Sequence, residues 1–315
     1  MTGAAMKIWA LHLALIAALF AAQPLLSPYH TTNLARIMVL AVFAMGYNLA
    51  FGYTGLLSLG HALLFAAGMY AASLAAQLWG VTAGPALILG LLGGGLVAAA
   101  LGLLALRTAG VSFMIVTLMF AQAGYLTILY FAPITGGDEG FTIPAASRAL
   151  LGFDLSTDTP RYLAALALFA TGLVLSLALV RSRFGRTMVA MRENEERSRM
   201  LGMNPFTVKL AALTISGLYA GAAGGAYAIL FGYAGASFAT IQYSILPMLY
   251  VLLGGAGTTL GPFIGAFLMF ALIETASGLT SAYLFFVGAA LVALVLLAPK
   301  GILSTIRERW VRWLP

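Results

Sequence analysis

Ser58 and His61 stand three residues apart, a spacing that puts a hydroxyl and an imidazole on one face of a continuous helix. Such a pair is half of a nucleophilic hydrolase. An intramembrane serine enzyme, however, normally draws its members from different helices and adds an oxyanion site. The rest of the chain gives that chemistry no support. His12, His30 and His61 are the only histidines, no carboxylate lies near any of them in sequence, and cysteine is absent. No glycine-Lys-Ser/Thr loop is present to cradle a nucleotide. The chain is expected to be no enzyme and to bind no cofactor or metal of its own.

The same residues make better sense as part of a pathway. Gly52, Thr54, Gly55, Ser58, Gly60 and His61 fall within ten residues and interrupt an otherwise lipid-like run. Irregular polar backbone at membrane depth is tolerated where protein or a water-filled path surrounds it, and half-helices meeting near the midplane build transporter sites. Ser58, His61, Phe65 and Gly68 follow helical spacing and would turn one face toward such a path. The competing reading is packing, with glycines for close approach and His61 hydrogen-bonded to a neighbour. A second cluster, Gly254-Gly255-Ala256-Gly257 through Gly261-Pro262 to Gly265, has the same texture, so Gly254 and Gly257 join the candidate pathway. Two broken segments would suit an internal repeat. The spans counted below do not put them in matched positions. Glu274, the one acid in an expected span, sits near its outer end and reads as a mouth or interface residue.

A third feature is charged rather than apolar. The stretch from Phe184 to Pro205 reads as two short helices, with Met188, Met191, Met200 and Leu201 as apolar spots. Asn194 can cap the second helix, Glu195 and Glu196 suit its first turn, Gly202 its C′ position, and Pro205 the point past which it cannot continue. A capped, charge-rich helix of this kind suits docking of a soluble partner.

These segments must be held by membrane helices. Of 315 residues, 62% are hydrophobic and 8% charged, with a mean hydropathy of +1.01. A soluble domain is about a quarter charged, and no soluble fold of this size could hide so much apolar surface. The net charge of +7 does not indicate nucleic acid, because the cations cluster between apolar runs. Spans of roughly 20 residues fit about ten times: 8–26, 34–51, 56–79, 84–106, 110–131, 161–180, 210–232, 242–256, 260–276 and 281–298. The apolar stretch after Lys7 continues through Gln23-Pro24-Leu25-Leu26 with no clean cleavage site and counts as the first span. Seven cations in 181–209 and four from Lys300 to Arg312 predict cytoplasmic placement, and the acidic loop 132–160 predicts the opposite side. Ten spans satisfy all three with both termini cytoplasmic. The expectation is therefore an all-α polytopic membrane protein with some helices broken. It forms one transmembrane domain over 1–315, with an extracytoplasmic loop at 132–160, a cytoplasmic loop at 181–209 and a cytoplasmic tail at 299–315.

Three stretches together carry a family resemblance. They are Gly52-Tyr53-Thr54-Gly55 through Ser58-Leu59-Gly60-His61 to Gly68-Met69-Tyr70, Gly185-Arg186 through Arg192-Glu193-Asn194-Glu195 to Leu201-Gly202, and Leu253-Gly254-Gly255-Ala256-Gly257-Thr258 to Gly261-Pro262. In that order they resemble the permease subunits of branched-chain amino acid ABC importers. The resemblance implies a multi-pass subunit of the bacterial cytoplasmic (inner) membrane, surrounded by lipid, that carries an aliphatic amino acid inward. It also implies a second homologous permease, two ATPase subunits that consume the ATP, and an extracytoplasmic substrate-binding protein, for which the acidic loop is a candidate surface. Such permeases dock their ATPase through a Glu-Ala-Ala-x-x-x-Gly segment. Glu196 and Gly202 keep that pattern here, whereas Arg197 and Ser198 replace the alanines. Arg192, Glu193, Glu195, Glu196, Gly202 and Asn204 are accordingly the expected coupling residues. Related permeases import urea or short amides, which is an alternative substrate class. A self-sufficient secondary transporter would need an intramembrane acid pair, and only Glu274 is available. A scaffold without transport would leave the broken polar segments without purpose.

Overall fold

The computed structural model describes residues 3–150, 152–279, 282–297 and 301–309. Hydrocarbon offers the backbone no hydrogen-bond partners, so each apolar run closes its own bonds as a helix. The helices are α1 (Gly3–Ala22), α2 (Pro28–Asn48), α3 (His61–Leu78), α4 (Ala83–Ala105), α5 (Gly110–Tyr130), α6 (Ala132–Thr135), α7 (Asp158–Arg181), α8 (Arg183–Glu193), α9 (Glu195–Met200), α10 (Pro205–Phe231), α11 (Ile241–Gly254), α12 (Gly261–Leu279), α13 (Tyr283–Leu297) and α14 (Ile302–Arg309). A π-helical turn, Leu49–Tyr53, continues α2 to 26 residues.

Each expected span coincides with one helix, in the expected order. Among the described residues, eight are long and apolar enough to cross a membrane. The other two are shorter: α11 has 14 residues and α13 has 15. At 1.5 Å per residue, α11 reaches only about 21 Å, short of a ~30 Å hydrocarbon core. The ends of the last expected span and of the tail, at 281, 298–300 and 310–315, lie outside the described residues.

Among the boundaries that differ from the sequence reading, such as α2 beginning at Pro28 before the expected 34, two bear on the site. The span expected to begin at residue 56 begins at His61, because Gly55 takes a φ of +78° and the chain turns there, with Leu56 N donating to Ala50 O at 2.8 Å. Ser58 is therefore not on α3, and the helical face proposed to join it to His61 and Phe65 does not include it. Conversely, α10 begins five residues before the expected 210. Pro205 is its first residue, past the end of α9, and Asn204 Oδ1 accepts from Phe206 N at 3.0 Å and Thr207 N at 3.4 Å.

The helix α10 sits at the centre, packed on α4, α3 and α2. Gly217, Gly221 and Gly225 recur every fourth residue on α10 and face Gly90 and Gly94 of α4 and Gly68 of α3. A Cβ on Gly221 would stand 2.5 Å from the Gly90 carbonyl oxygen and 2.7 Å from Gly94 Cα. Only hydrogen fits there, and the backbones gain their dispersion contacts by direct approach. The helix α2 is enclosed by α7, α10, α11 and α12, and its residues from Ile37 to Asn48 are buried without exception.

The acidic loop is pinned to the end of α10. Its β1 (Phe141–Thr142) pairs antiparallel with β4 (Tyr233–Ala234), and β2 (Ala149–Leu150) pairs with β3 (Phe153–Asp154). Arg148 donates to the carbonyls of Ile229 and Leu230, both at 2.7 Å, and Arg161 donates to Leu230 at 3.0 Å. Both cations complement the negative end of that helix. Asp158 pairs with Arg161 at 3.2 Å. Hydrogen bonds from the Ser156 hydroxyl and amide hold the Asp154 carboxyl below its ordinary value.

Candidate functional site

The two glycine clusters, some two hundred residues apart in sequence, meet each other. Asn48, the last residue of α2, joins them. Its Nδ2 donates to Thr258 O at 2.8 Å, and its Oδ1 accepts from Gly257 N at 2.9 Å. One amide thereby satisfies two backbone groups that the break in the second cluster leaves free. Gly52 lies so close that a Cβ on it would stand 2.6 Å from Gly257 N. The turns themselves demand glycine, with φ of +78° at Gly55, +123° at Gly255 and +74° at Gly257. Gly254 faces the backbone of Gly261 across the same break. Thr54 Oγ1 donates to Leu49 O at 2.9 Å, and Thr259 Oγ1 meets His12 Nε2 at 2.8 Å.

Arg192, from α8 of the basic loop, reaches this junction. Its guanidinium donates to the Gly52 carbonyl. The same side chain lies against both turns: a Cβ on Gly55 would be 3.3 Å from Arg192 Cγ, and one on Gly257 would be 3.1 Å from Nη1. A coupling candidate and three pathway candidates thus form one contact. Beside it opens a cavity of about 330 Å³ lined by Gly55, Leu56, Leu57, Phe113 and Lys209. A second cavity of about 520 Å³ is lined by Arg107, Glu195, Arg199, Asn204 and the same Lys209.

The start of α3 forms the next layer. His61 Nε2 meets Ser216 Oγ of α10 at 2.8 Å, and Tyr47 packs edge-on against the imidazole at 4.6 Å. Ala62 N donates to Ser244 Oγ of α11 at 2.9 Å, and Leu59 N to Thr117 Oγ1 of α5 at 3.1 Å. Ser58 Oγ accepts from Gly60 N at 3.1 Å. A Cβ on Gly60 would press against the Thr117 carbonyl at 2.9 Å. Ser58 Oγ and His61 Nε2 do not bond each other: the first accepts from Gly60 N and the second meets Ser216 Oγ. Phe65 enters an aromatic cluster with Phe43 at 4.8 Å and Tyr243 at 5.1 Å.

The rest of the coupling set divides between the bundle and the open face: Glu195 and Asn204 bond to the start of α10, whereas Glu193, Glu196 and Gly202 are exposed. Asn194 Oδ1 accepts from Arg197 N at 2.8 Å and caps α9, as its position suggested. Gly202 takes a φ of +85° with open space around it. Glu195 is held by Lys209 at 2.5 Å and by Arg199 at 3.3 Å, whereas Glu193 and Glu196 are exposed. The apolar spots divide: Met188 and Met191 are buried, but Met200 is 85% exposed and Leu201 72%. Sequence reasoning missed Asn48, Thr117, Ser216 and Ser244. Asn48 carried a usable signal, a lone amide at the end of an apolar run four residues before Gly52. The three hydroxyls carried none, because a single Ser or Thr in a membrane helix often bonds its own backbone.

Residues 30–297 match the family model described as branched-chain amino acid transport system / permease component. Over 298 residues the chain is 31% identical to the high-affinity branched-chain amino acid transport system permease protein LivM of Salmonella typhimurium, covering 86% of this chain and 69% of that protein. The LivM protein of Escherichia coli is 29% identical over 328 residues, covering 95% of this chain and 76% of its own length. A shorter likeness, 34% over 97 residues, links 29% of the chain to 28% of the autoinducer 2 import system permease protein LsrC of Klebsiella pneumoniae. No solved structure matches.

Proposed function

The chain belongs to the permease components of branched-chain amino acid transport systems, and on that premise we propose that it is the membrane path of an importer for aliphatic amino acids, worked by separate ATPase subunits. The acidic loop then lies outside and the basic loop in the cytoplasm, in the inner membrane of a bacterium. The chain itself takes no part in ATP chemistry. A second homologous permease, two ATPases and an extracytoplasmic binding protein complete the machine.

One observation carries the reading: Arg192 of the basic loop bonds the Gly52 carbonyl and lies against Gly257, so the loop grips both broken segments at once. A coupling device requires a two-state element biased from both ends. Here, closure of the ATPases displaces α8 and α9, Arg192 carries the shift to the junction, and the ends of α2, α3, α11 and α12 that meet there re-pack. The exposed Met200 and Leu201 give α9 an apolar tip for a groove in the ATPase. Glycine at the three turns lets the junction change φ and ψ without a Cβ penalty. A pathway lined by Gly, Thr and Phe with little charge suits a zwitterion bearing an aliphatic side chain.

The test is affinity purification of the tagged chain from gently solubilised native membranes, with mass spectrometry of what accompanies it. Two ATPases, a second permease and a binding protein that holds leucine, isoleucine or valine are expected. A chain that purifies alone and moves solute in vesicles without ATP would overturn the reading.

A further inference from the structure

Arg36 sits eight residues into α2, about 12 Å from the Pro28 end at the helical rise. It is the cation that breaks the long uncharged stretch between Lys7 and Arg107. Among the described residues it makes no hydrogen bond and no ion pair, and its Nε is buried without an acceptor. Its guanidinium carbon stands 5.0 Å from the centre of the Phe231 ring, within electrostatic reach of Tyr227 and Tyr243. A ring face attracts a cation but does not satisfy its N–H donors. The neighbouring Arg148 and Arg161 are already committed to the carbonyls at the end of α10, and Arg161 also to Asp158. Arg36 is thus the one of the three left with its donors unused.

A cation held in an apolar bundle calls for an anion, and a guanidinium fits a carboxylate with two parallel bonds. The group beside it specifies the rest of the ligand. Phe43 lies two helical turns further along the same face of α2 and packs on Phe65 at 4.8 Å. Tyr243 stands 5.1 Å from Phe65 and 5.1 Å from Phe238, and Phe238 stands 5.0 Å from Tyr227. An apolar aromatic floor thus runs inward from the guanidinium toward the start of α3. Ala35 and Ile37, on either side of Arg36, are buried, and the guanidinium stands over Phe231 at the end of α10, which favours a ligand inside the bundle over a lipid phosphate.

We propose that Arg36 takes the α-carboxylate of the transported amino acid at the acidic-loop end of the bundle, with the aromatic floor receiving its side chain. This rests on the importer reading above. The complete transporter, reconstituted in vesicles with ATP and its loaded binding protein, provides the test through leucine uptake and ATP hydrolysis measured together. Arg36→Gln should lower uptake about tenfold or more, the worth of a lost charge-assisted bond, while stimulated ATP hydrolysis stays within about twofold. Arg36→Lys should recover part of the uptake. Unchanged uptake by Arg36→Gln would overturn the assignment. So would equal losses of uptake and stimulated hydrolysis, or failure of that variant to accumulate, since either makes the charge structural. A defect confined to vesicles rich in anionic lipid would assign the guanidinium to a lipid instead. Wild-type complex that hydrolyses ATP but moves no amino acid would bring down the importer reading, and this assignment with it.

Discussion

Two glycine-rich regions of this bundle use the same residue in opposite ways. Where α4, α3 and α10 cross, the glycines are helical, spaced by four, and lock backbone onto backbone with no room for a Cβ. Where residues 52–60 meet 255–260, the glycines turn the chain through positive φ, and polar side chains bridge what the helices leave unpaired. The first interface is held chiefly by packing of backbone on backbone and has one good arrangement. The second is held by a few hydrogen bonds that can be exchanged. On the proposed function, the difference separates a fixed frame from the part that coupling would move, and Arg192 is attached to the second.

Substitutions should tell the two regions apart. The largest effect is expected at the frame. Gly221→Leu drives a side chain into the backbone of α4 and should cost about 3 kcal/mol or more, seen as loss of folded chain from the membrane. Normal accumulation would mean that the frame yields as easily as the junction. At the junction, Asn48→Ala leaves the Thr258 carbonyl and Gly257 amide without partners, at about 1–3 kcal/mol each. The chain should still accumulate, with a lowered thermal midpoint in detergent and reduced transport. A midpoint equal to that of the parent would show that the two bonds do not hold the junction.

Smaller and more local is Gly202→Val. Its open surroundings remove any clash, so only the positive φ is strained, at about 1–3 kcal/mol. Uptake should fall with the chain still accumulating in the membrane, and normal uptake would exclude α9 from coupling. The smallest effect concerns Asp154. Its carboxyl is held below its ordinary value in the folded chain, so its contribution is present at neutral pH and lost as pH falls through that depressed value. The β2–β3 loop should become more open to proteolysis below the usual carboxylate range. Asp154→Asn should show that openness at neutral pH.

Most of the frame was legible from the sequence, because long apolar runs bounded by charges admit one solution in lipid. The basic loop was legible for another reason: Asn194 and Gly202 each have a specific local job at a helix end. The junction was half legible. Gly55 and Gly257 announced turns, yet nothing in either segment says that they touch, since that depends on Asn48 spanning them. Ser58 misled because a helix was assumed to start before Gly60, whereas the turn at Gly55 delays it to His61. The glycines of α4 and α10 do not reveal their interface in the sequence: within a helix, a spacing of four marks contact but not with whom.

The central claim is that the basic loop works the junction through Arg192, and Arg192→Gln tests it most directly. The variant keeps a long polar side chain and loses the charge that bonds Gly52. In the reconstituted transporter, uptake per ATP hydrolysed should fall about tenfold, with the chain still accumulating and still binding its ATPases. Uptake per ATP equal to the parent's would contradict the claim and leave Arg192 as a surface contact only.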